Sequence, residues 1–378
     1  MAADVRQRAV DKIVRLSAEP KDLASYWRDC TEVVGTIVPY YWTPCWFTLD
    51  PASLLITSHF HEGLTEFPAE WLANEYYGDD LNNLADIARS HSGISTLHEA
   101  AGGDPSNTPR WRFNQSMGGD QEMIARLRAP SGEVWGMLGL YRESGRPLFD
   151  ESEKQFIQSI APHVAEGARR ALLIGEAVDP VGLDAPGLVI LTTRWEIQSA
   201  TPGVQRWLCE LPDGDLDSGQ LPSAVLAVAG RALRKSENPD DASGITLSRV
   251  LSRNGTWVVL HGACLVDNGT TRIAVIVEPA HPARIYPLLV SAYRLTERER
   301  DVTRLVLQGA STSEIARELV VSPYTVQQHL KSVFDKTGVH SRRDLVGKIF
   351  YSHYEPRFRD NEHRVAAGRP MRGGPATN

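Results

Sequence analysis

One face of a predicted helix that begins near residue 322 carries polar and basic side chains. Glutamine pairs with adenine through two hydrogen bonds, and lysine reaches guanine or a backbone phosphate. Nearby hydroxyl and basic groups have the chemistry to hold phosphates. The pattern therefore predicts contact with double-stranded DNA. The candidate DNA-binding residues are Thr325, Gln327, Gln328, Lys331, Ser332, Lys336, Arg342 and Arg343.

Three short helices are predicted to position this face, because each has a recognisable start. Thr296 and Ser311 are each followed three residues later by a glutamate, which is the capping-box pattern. Ser322 is a favoured capping residue, and Pro323 after it suits a first helical turn. Only residues 320–322 separate the second helix from the third, which predicts a helix-turn-helix.

Apolar residues recur at helical spacing in the same segment, which predicts that the three helices share a small core. The spacing leaves the candidate DNA-binding residues of the third helix facing outward. The predicted core residues are Val302, Leu305, Val306, Ile315, Ala316, Leu319, Val326, Leu330, Val333 and Phe334.

The charge of the chain is unevenly distributed. Residues 291–350 carry ten Lys or Arg and seven Asp or Glu, a net charge of +3, and residues 351–378 add +2. The whole chain has a net charge of −7, so residues 1–290 carry −12. An acidic body with a basic end indicates one nucleic-acid-binding segment.

The C-terminal segment resembles the LuxR-type helix-turn-helix domain over about 60 residues. The usual family Lys after the Thr-Val pair is Gln327 here, which implies a different base preference. The resemblance rests on Leu295, Thr296, Arg298, Glu299, Gly309, Ser311, Glu314, Ile315, Ala316, Leu319, Ser322, Thr325, Val326, His329, Lys336, Gly338, Val339 and Arg343.

The resemblance also implies a fourth helix that forms the dimer face. It would start at Ser341 and present Leu345, Val346, Ile349 and Phe350. A homodimer would place two recognition helices about 10 bp apart on a near-palindromic site. RNA polymerase is a further candidate partner of such a regulator.

The length of 378 residues predicts two or three domains. No apolar run is long enough to span a membrane, and the first residues lack an apolar signal core, so a cytoplasmic location is expected. Cys30, Cys45, Cys209 and Cys264 are far apart in sequence and are expected to be buried thiols, with a thiol sensor as the alternative.

Residues 21–175 alternate predicted strands and helices and end in a long helix from about residue 150. The order resembles a GAF domain, most closely in residues 136–142 and the following 147–150. GAF domains bind very different small molecules, so the resemblance does not name a ligand. The long final helix is a candidate for pairing with a second copy.

Aromatic residues are dense in this part of the chain. A ligand pocket needs apolar walls with a few polar groups, so they are candidates for its lining as well as for the core. His59 and His61 share one predicted strand face, a weak metal pattern, and no metal or cofactor is predicted. The candidate ligand-binding residues are Trp42, Trp46, Phe60, Tyr76, Trp111 and Trp135.

Residues 180–280 are predicted to contain two strands, then helices, then three antiparallel strands, an order that resembles a PAS domain. Asn254-Gly255 and Asn268-Gly269 are hairpin-turn signals between the last three strands. Such a domain either binds a ligand or only transmits and dimerises, and the second alternative is favoured here.

The predicted fold class is multidomain: an α+β GAF-like domain, an α+β PAS-like domain and an all-α four-helix LuxR-type helix-turn-helix domain. The tail has few apolar residues and is expected to be disordered. The predicted boundaries are 1–20 for an N-terminal helix or extension, 21–175, 180–280, 281–294 for a linker helix, 295–352 and 355–378 for the tail.

These features predict a sequence-specific transcriptional regulator controlled by a small molecule in the GAF-like domain. Such a ligand acts only by binding one arrangement of the protein better than another. The alternative is a regulator switched by a protein partner, with the GAF-like and PAS-like domains as interaction and dimerisation modules. None of the common catalytic motifs occurs, so an enzyme is not expected.

Overall fold

The computed structural model describes residues 2–62, 68–174, 186–241, 244–267, 269–280, 293, 295–307 and 309–345. The chain divides into two compact units, of which the first contains both β-sheets and the second contains the C-terminal helices. The predicted linker helix (except residue 293), the tail and the predicted fourth helix beyond Leu345 lie outside the described residues.

The first half of the larger unit, residues 2–174, contains a five-stranded antiparallel sheet in the order β2-β1-β5-β4-β3. Strands are found near 45–50, 54–60, 123–128 and 134–142, as the sequence predicts, whereas β3 and the short helices α4 to α6 were not predicted. The elements are α1 (Ala2–Leu16), α2 (Leu23–Gly35), β1 (Cys45–Leu49), β2 (Ile56–Phe60), α3 (Ala69–Tyr77), α4 (Leu84–Arg89), β3 (Ile94–Thr96), α5 (Leu97–Ala100), α6 (Pro109–Ser116), β4 (Gln121–Arg128), β5 (Val134–Arg142) and α7 (Glu151–Ile174).

The long helix α7 is covered within the chain. It packs against β4 and β5 on one side and against α1 and α2 on the other. Tyr26 of α2 donates its hydroxyl hydrogen bond to the Val164 carbonyl at 3.2 Å, and Arg170 reaches the Ser17 carbonyl after α1 at 3.2 Å. The sequence predicts that α7 is a candidate for pairing with a second copy. Helices α1 and α2 cover one side of α7 within the chain, and its pairing with a second copy stays a prediction.

The second half of the larger unit has a sheet in the order β7-β6-β10-β9-β8. Two strands, then helices, then three antiparallel strands follow one another as the sequence predicts. The turn before β9 places Gly255 at φ 81°, a conformation that glycine adopts without strain. The elements are β6 (Gly187–Leu191), β7 (Ile197–Ala200), α8 (Val204–Cys209), α9 (Ser223–Glu237), β8 (Leu247–Leu251), β9 (Trp257–Asp267) and β10 (Thr270–Pro279).

The two halves of this unit share a buried interface. Helix α3 packs along α9, and a Cβ added at Gly230 of α9 would lie 2.3 Å from the carbonyl oxygen of Ala73 in α3. Asp50, just after β1, accepts three hydrogen bonds from Arg249 of β8, at 2.9, 2.9 and 2.6 Å. Both side chains are at least nine-tenths buried. Close packing and a buried ion pair therefore join the two sheets.

In the part of the C-terminal unit that the structure describes, three helices of seven or more residues lie over a common core. No helix among the described residues is long and apolar enough to cross a membrane. Of the four cysteines, Cys30 and Cys45 are buried as expected, but Cys209 is exposed and Cys264 is partly exposed. The helices are α10 (Glu297–Leu307), α11 (Thr312–Glu318) and α12 (Pro323–Thr337).

Candidate nucleic-acid interface

The starts of α11 and α12 are fixed by their caps. Ser311 and Glu314 form a reciprocal capping box, and the Ser322 hydroxyl accepts a hydrogen bond from the Thr325 amide at 3.0 Å. Gly338 ends α12 in the left-handed conformation, at φ 66°. The sequence predicts all three features, because each depends on residues next to one another in the chain.

Val320 lies in the turn between α11 and α12 and is 89% exposed with φ 54°. A β-branched residue rarely adopts a positive φ, so the turn is under local strain. Nothing in the sequence pattern predicted this strain.

The core under these helices has the predicted apolar residues, with Leu319 and Phe334 only partly buried at its edge. Leu295, Val339 and Leu345 complete it from outside the three helices. The chain turns helical again at residues 342–345, with the Ser341 hydroxyl accepting from the Asp344 amide at 3.0 Å. This is where the predicted fourth helix starts.

The outer face of α12 presents Gln327, Gln328 and Lys331, all exposed. Gln327 donates a 3.2 Å hydrogen bond to the Thr312 hydroxyl of α11, which holds its amide near the start of that helix. Tyr324, in the first turn of α12, is 73% exposed and was not predicted as a contact. Its position three residues before Gln327 and seven before Lys331 is the signal that could have placed its ring on the same helix face. The face therefore combines two amides, one ammonium group and one phenol.

Two of the predicted DNA contacts also hold the helices together. Ser332 donates to Glu299 Oε1 at 2.6 Å, and Lys336 donates to Glu299 Oε2 at 2.6 Å. Glu299 also accepts from the Thr296 amide at 2.7 Å and is buried. Ser332 and Lys336 therefore tie α10 to α12, and their contact with DNA stays a prediction.

The environment of Glu299 favours its ionised form. Burial alone would raise the pKa of this carboxyl. The hydrogen bonds from Lys336, Ser332 and the Thr296 amide outweigh burial and hold the pKa below its ordinary value. Glu299 is thus an ionised buried group at the centre of the three-helix unit.

The remaining candidates differ in their freedom to reach a phosphate. Arg343 is exposed. Arg342 is half-buried and donates from Nη1 to the Ala310 carbonyl at 2.7 Å, so it holds the turn before α11. The Thr325 hydroxyl lies 2.8 Å from that of Ser322 and remains partly exposed. Arg343 and Thr325 stay predictions as phosphate contacts.

The six aromatic candidates for ligand binding have packing roles in the first half of the chain. Trp46 stacks on Trp27 with ring centroids 4.7 Å apart, and Trp42 lies against Tyr141 at 4.8 Å. The Tyr76 hydroxyl donates to the Leu54 carbonyl and accepts from the Ile56 amide, both at 2.9 Å.

The other three are similarly placed. Trp111 donates to Asp120 at 3.0 Å, Trp135 is buried and Phe60 is half-buried at the end of β2. None of the six lines the cavity between α3 and α6, whose aromatic walls are Trp71 and Phe113. The sequence identified the aromatic density but not these two rings as the walls.

The geometry of α10 to α12 defines a helix-turn-helix DNA-binding module. Residues 293–348 match the model of the luxR family of bacterial regulatory proteins. The spore germination protein GerE of Bacillus subtilis is 44% identical over 55 residues, which are 15% of this chain and 74% of GerE. The chain belongs to the luxR family.

Other relatives match stretches of similar length. An HTH-type transcriptional regulator of Mycobacterium bovis is 56% identical over 52 residues, which are 14% of this chain but only 6% of that regulator. The monoamine regulon transcriptional regulator of Klebsiella aerogenes is 44% identical over 56 residues, 15% of this chain and 25% of that protein. The chain thus matches only a small part of each of these two regulators.

Solved structures resemble larger parts of the chain at low identity. SdiA of Escherichia coli has a TM-score of 0.29 and 12% identity, covering 93% of this chain and 97% of SdiA. The phycoerythrobilin-bound GAF domain of a cyanobacterial phytochrome also has a TM-score of 0.29, with 18% identity, over 46% of this chain and 97% of that domain. At these scores the architecture rests on the elements described above.

Replacing Glu299 by alanine is expected to destabilise the three-helix unit by about 2–3 kcal/mol, because a cap and two charge-assisted hydrogen bonds are lost. Hydrogen exchange of α10 and α12 measures this local opening free energy. Glu297→Ala, exposed on the same helix, is the control and should change it little. Equal protection in the Glu299 variant and the wild type would contradict the assigned role.

The same comparison has an expected pH dependence. A carboxyl whose folded-state pKa is lowered stabilises the folded state above its unfolded pKa, and this contribution is lost as the pH falls through the folded-state pKa. The difference between wild type and Glu299→Ala should therefore shrink below about pH 4. A difference that stays constant down to strongly acidic pH would mean that the ionised carboxylate is not the stabilising species.

Proposed function

We propose that the chain is a sequence-specific DNA-binding transcriptional regulator. Helix α12 would enter the major groove and present Gln327, Gln328 and Lys331 to base edges and phosphates. The observation that carries this proposal is the exposure of these three side chains on the second helix of a packed helix-turn-helix. Membership of the luxR family supports it.

We further propose that the regulator works as a homodimer in the cytoplasm. Two copies of α12 about one DNA turn apart would read a near-palindromic site. Since α7 is covered within the chain, the proposed dimer surface is the helix that starts at Ser341. RNA polymerase is the proposed further partner of the DNA-bound form.

The larger unit is proposed to be the sensor, with a GAF-like first half and a PAS-like second half. A cavity of about 280 Å³ between α3 and α6 supports control by a small molecule in the GAF-like half. The packing between the two sheets supports a PAS-like half that transmits a signal from the GAF-like half rather than one that binds a ligand. Control by a protein partner is the second candidate, and the packing of the larger unit is compatible with either.

Lys331→Ala is expected to weaken DNA binding. If Lys331 contacts a phosphate, the negative slope of log affinity against log salt concentration should become shallower by about 0.9. If Lys331 contacts guanine, the variant should discriminate less between bases at that position. A gel-shift series over salt and sequence measures both. Lys12→Ala removes the same charge from an exposed position of α1 and should leave binding unchanged. Unchanged affinity, slope and base preference in Lys331→Ala would reject its assignment to the interface.

Thermal shift separates the two candidate modes of control. A small molecule that binds the folded sensor raises the melting temperature of its transition, and the stabilisation grows with the logarithm of one plus the ratio of ligand concentration to Kd. A screen of small molecules against the full chain should therefore yield a stabilising compound. If only a protein partner changes DNA binding and no compound stabilises the sensor, the partner-controlled alternative is correct.

A further inference from the structure

Tyr324 presents a large ring to solvent from the first turn of α12. The residue is 73% exposed, and among the large apolar side chains of the described residues only Val320, in the turn before α12, is more exposed, at 89%. Single exposed apolar side chains are common on protein surfaces, so exposure alone assigns Tyr324 no role. The role follows from its position on the helix and from the chemistry of its neighbours.

Tyr324 shares the outer face of α12 with the proposed base readers. Gln327, Gln328 and Lys331 follow it by three, four and seven residues, the spacings that place side chains on one face of a helix. Val326, between them in sequence, is buried in the core below. The helical rise puts Tyr324 about 4.5–6 Å before the two glutamines along the axis. Successive base pairs are about 3.4 Å apart, so the ring lies one or two base pairs from those that the glutamines read.

The first turn is the part of such a helix that reaches the bases. In helix-turn-helix proteins the N-terminal residues of the second helix contact base edges in the major groove. The hydroxyls of Ser322 and Thr325 lie 2.8 Å apart, and that of Ser322 caps the Thr325 amide at 3.0 Å. Both hydroxyls are therefore engaged in the helix start, and the Tyr324 ring is the longest side chain that this turn directs to solvent.

The major-groove edge of an A·T pair has both a polar and an apolar part. Adenine presents N6 and N7, which glutamine reads through two hydrogen bonds, and thymine presents its C5 methyl group, which apolar side chains contact. Gln327 is positioned by its 3.2 Å hydrogen bond to the Thr312 hydroxyl, and Gln328 is exposed beside it. An exposed ring one helical turn before two adenine-reading amides matches the edge chemistry of consecutive A·T pairs.

We propose that the Tyr324 ring contacts the C5 methyl group of a thymine one or two base pairs from a pair read by Gln327 or Gln328. Tyr324 is thus a specificity-determining residue that recognises thymine by its methyl group. The ring carries this recognition, and the phenol hydroxyl is not required for it. The assignment rests on the proposed DNA binding and names the base feature that the first turn of α12 reads.

Deoxyuridine substitution in the DNA tests the contact, because it removes the thymine methyl group and keeps the hydrogen-bonding edge of the base pair. The duplex is the sequence that the full chain enriches from genomic fragments, and each thymine is replaced in both half-sites together. Loss of one buried methyl group weakens binding about four-fold, so two half-sites predict a loss of about fifteen-fold. Gel shifts with the wild-type chain should show this loss at one thymine position of the half-site.

Variants of Tyr324 assign that loss to its ring. Tyr324→Ala should bind the thymine duplex about fifteen-fold more weakly than wild type, and deoxyuridine at the sensitive position should then have no further effect. Tyr324→Phe keeps the ring and should retain the wild-type affinity and the full deoxyuridine effect. Tyr41→Ala removes a tyrosine that is 52% exposed in the first half of the larger unit, and should change neither affinity. Because Tyr324 is exposed, its variants should keep the wild-type melting temperature.

Three results would overturn the inference. They are an enriched sequence with no deoxyuridine-sensitive thymine, an equal deoxyuridine effect in Tyr324→Ala and wild type, and a Tyr324→Phe variant that binds as weakly as Tyr324→Ala. The last result would assign the hydroxyl to a phosphate instead. Each of these leaves the regulator in place, since a sequence is still enriched. A chain that enriches no sequence would remove the proposed function and the thymine contact together.

Discussion

Asp50→Ala is expected to destabilise the larger unit by about 3–5 kcal/mol, because it leaves the Arg249 guanidinium buried without its carboxylate. Asp50 is 1% exposed, accepts three hydrogen bonds from Arg249 and also accepts from the Ala52 amide at 2.9 Å. For a unit of this size the melting temperature should fall by roughly 6–15 °C. Differential scanning calorimetry of the full chain measures the shift.

Two controls separate burial from charge pairing. Asp4→Ala removes an ion pair with Arg8 in which both side chains are 68% exposed, and should change stability little. Adding Arg249→Met to Asp50→Ala removes the buried guanidinium that has lost the Asp50 carboxylate and should recover part of the loss. A melting temperature unchanged by Asp50→Ala would show that the ion pair does not hold the two sheets together.

Gly230→Ala is expected to destabilise the protein by about 1–3 kcal/mol or more, because α9 must move away from α3. The new Cβ would meet the Ala73 carbonyl oxygen at 2.3 Å, and that oxygen belongs to backbone that cannot rotate away. Helix propensity alone predicts the opposite sign, since alanine stabilises a helix interior by roughly 1 kcal/mol relative to glycine. The sign of the change in the free energy of unfolding, measured by calorimetry, therefore shows whether close packing or helix propensity dominates at this position.

Gly78→Ala is the matched control for this substitution. Gly78 follows α3, has an ordinary φ of −79°, and its added Cβ would meet its nearest atom at 3.4 Å. Alanine at this position should leave stability unchanged or raise it by about 0.4–1 kcal/mol, because it lowers the conformational entropy of the unfolded chain. If Gly230→Ala also stabilised the protein, α3 and α9 would not be in the close contact described above.

Local signals in the sequence predicted much of the fold. The caps at Ser311 and Ser322 and the glycine at 338 involve residues next to one another, so spacing alone reveals them. The strands of both sheets were predicted from apolar runs bounded by turn residues. The short helices α4 to α6 were missed because the loop-forming residues around them, such as those at 101–107, dominate the pattern.

Contacts between distant residues could not be predicted in this way. Ser332 and Lys336 look like solvent-facing polar residues until Glu299, 33 and 37 residues earlier, is placed beside them. Arg110 likewise meets Glu75 across 35 residues, and nothing in the local sequence marks either as buried. The assignment of polar groups to DNA or to internal pairing therefore required the packed helices.

We propose above all that α12 reads DNA sequence through its exposed face. The most direct measurement is selection of genomic fragments by the purified full chain, compared with a variant in which Gln327, Gln328 and Lys331 are all alanine. We expect the wild-type chain to enrich one near-palindromic sequence with half-sites about 10 bp apart, and the variant to lose this enrichment while its melting temperature is unchanged. Enrichment of the same sequence by both proteins would contradict the claim, as would wild-type binding without sequence preference.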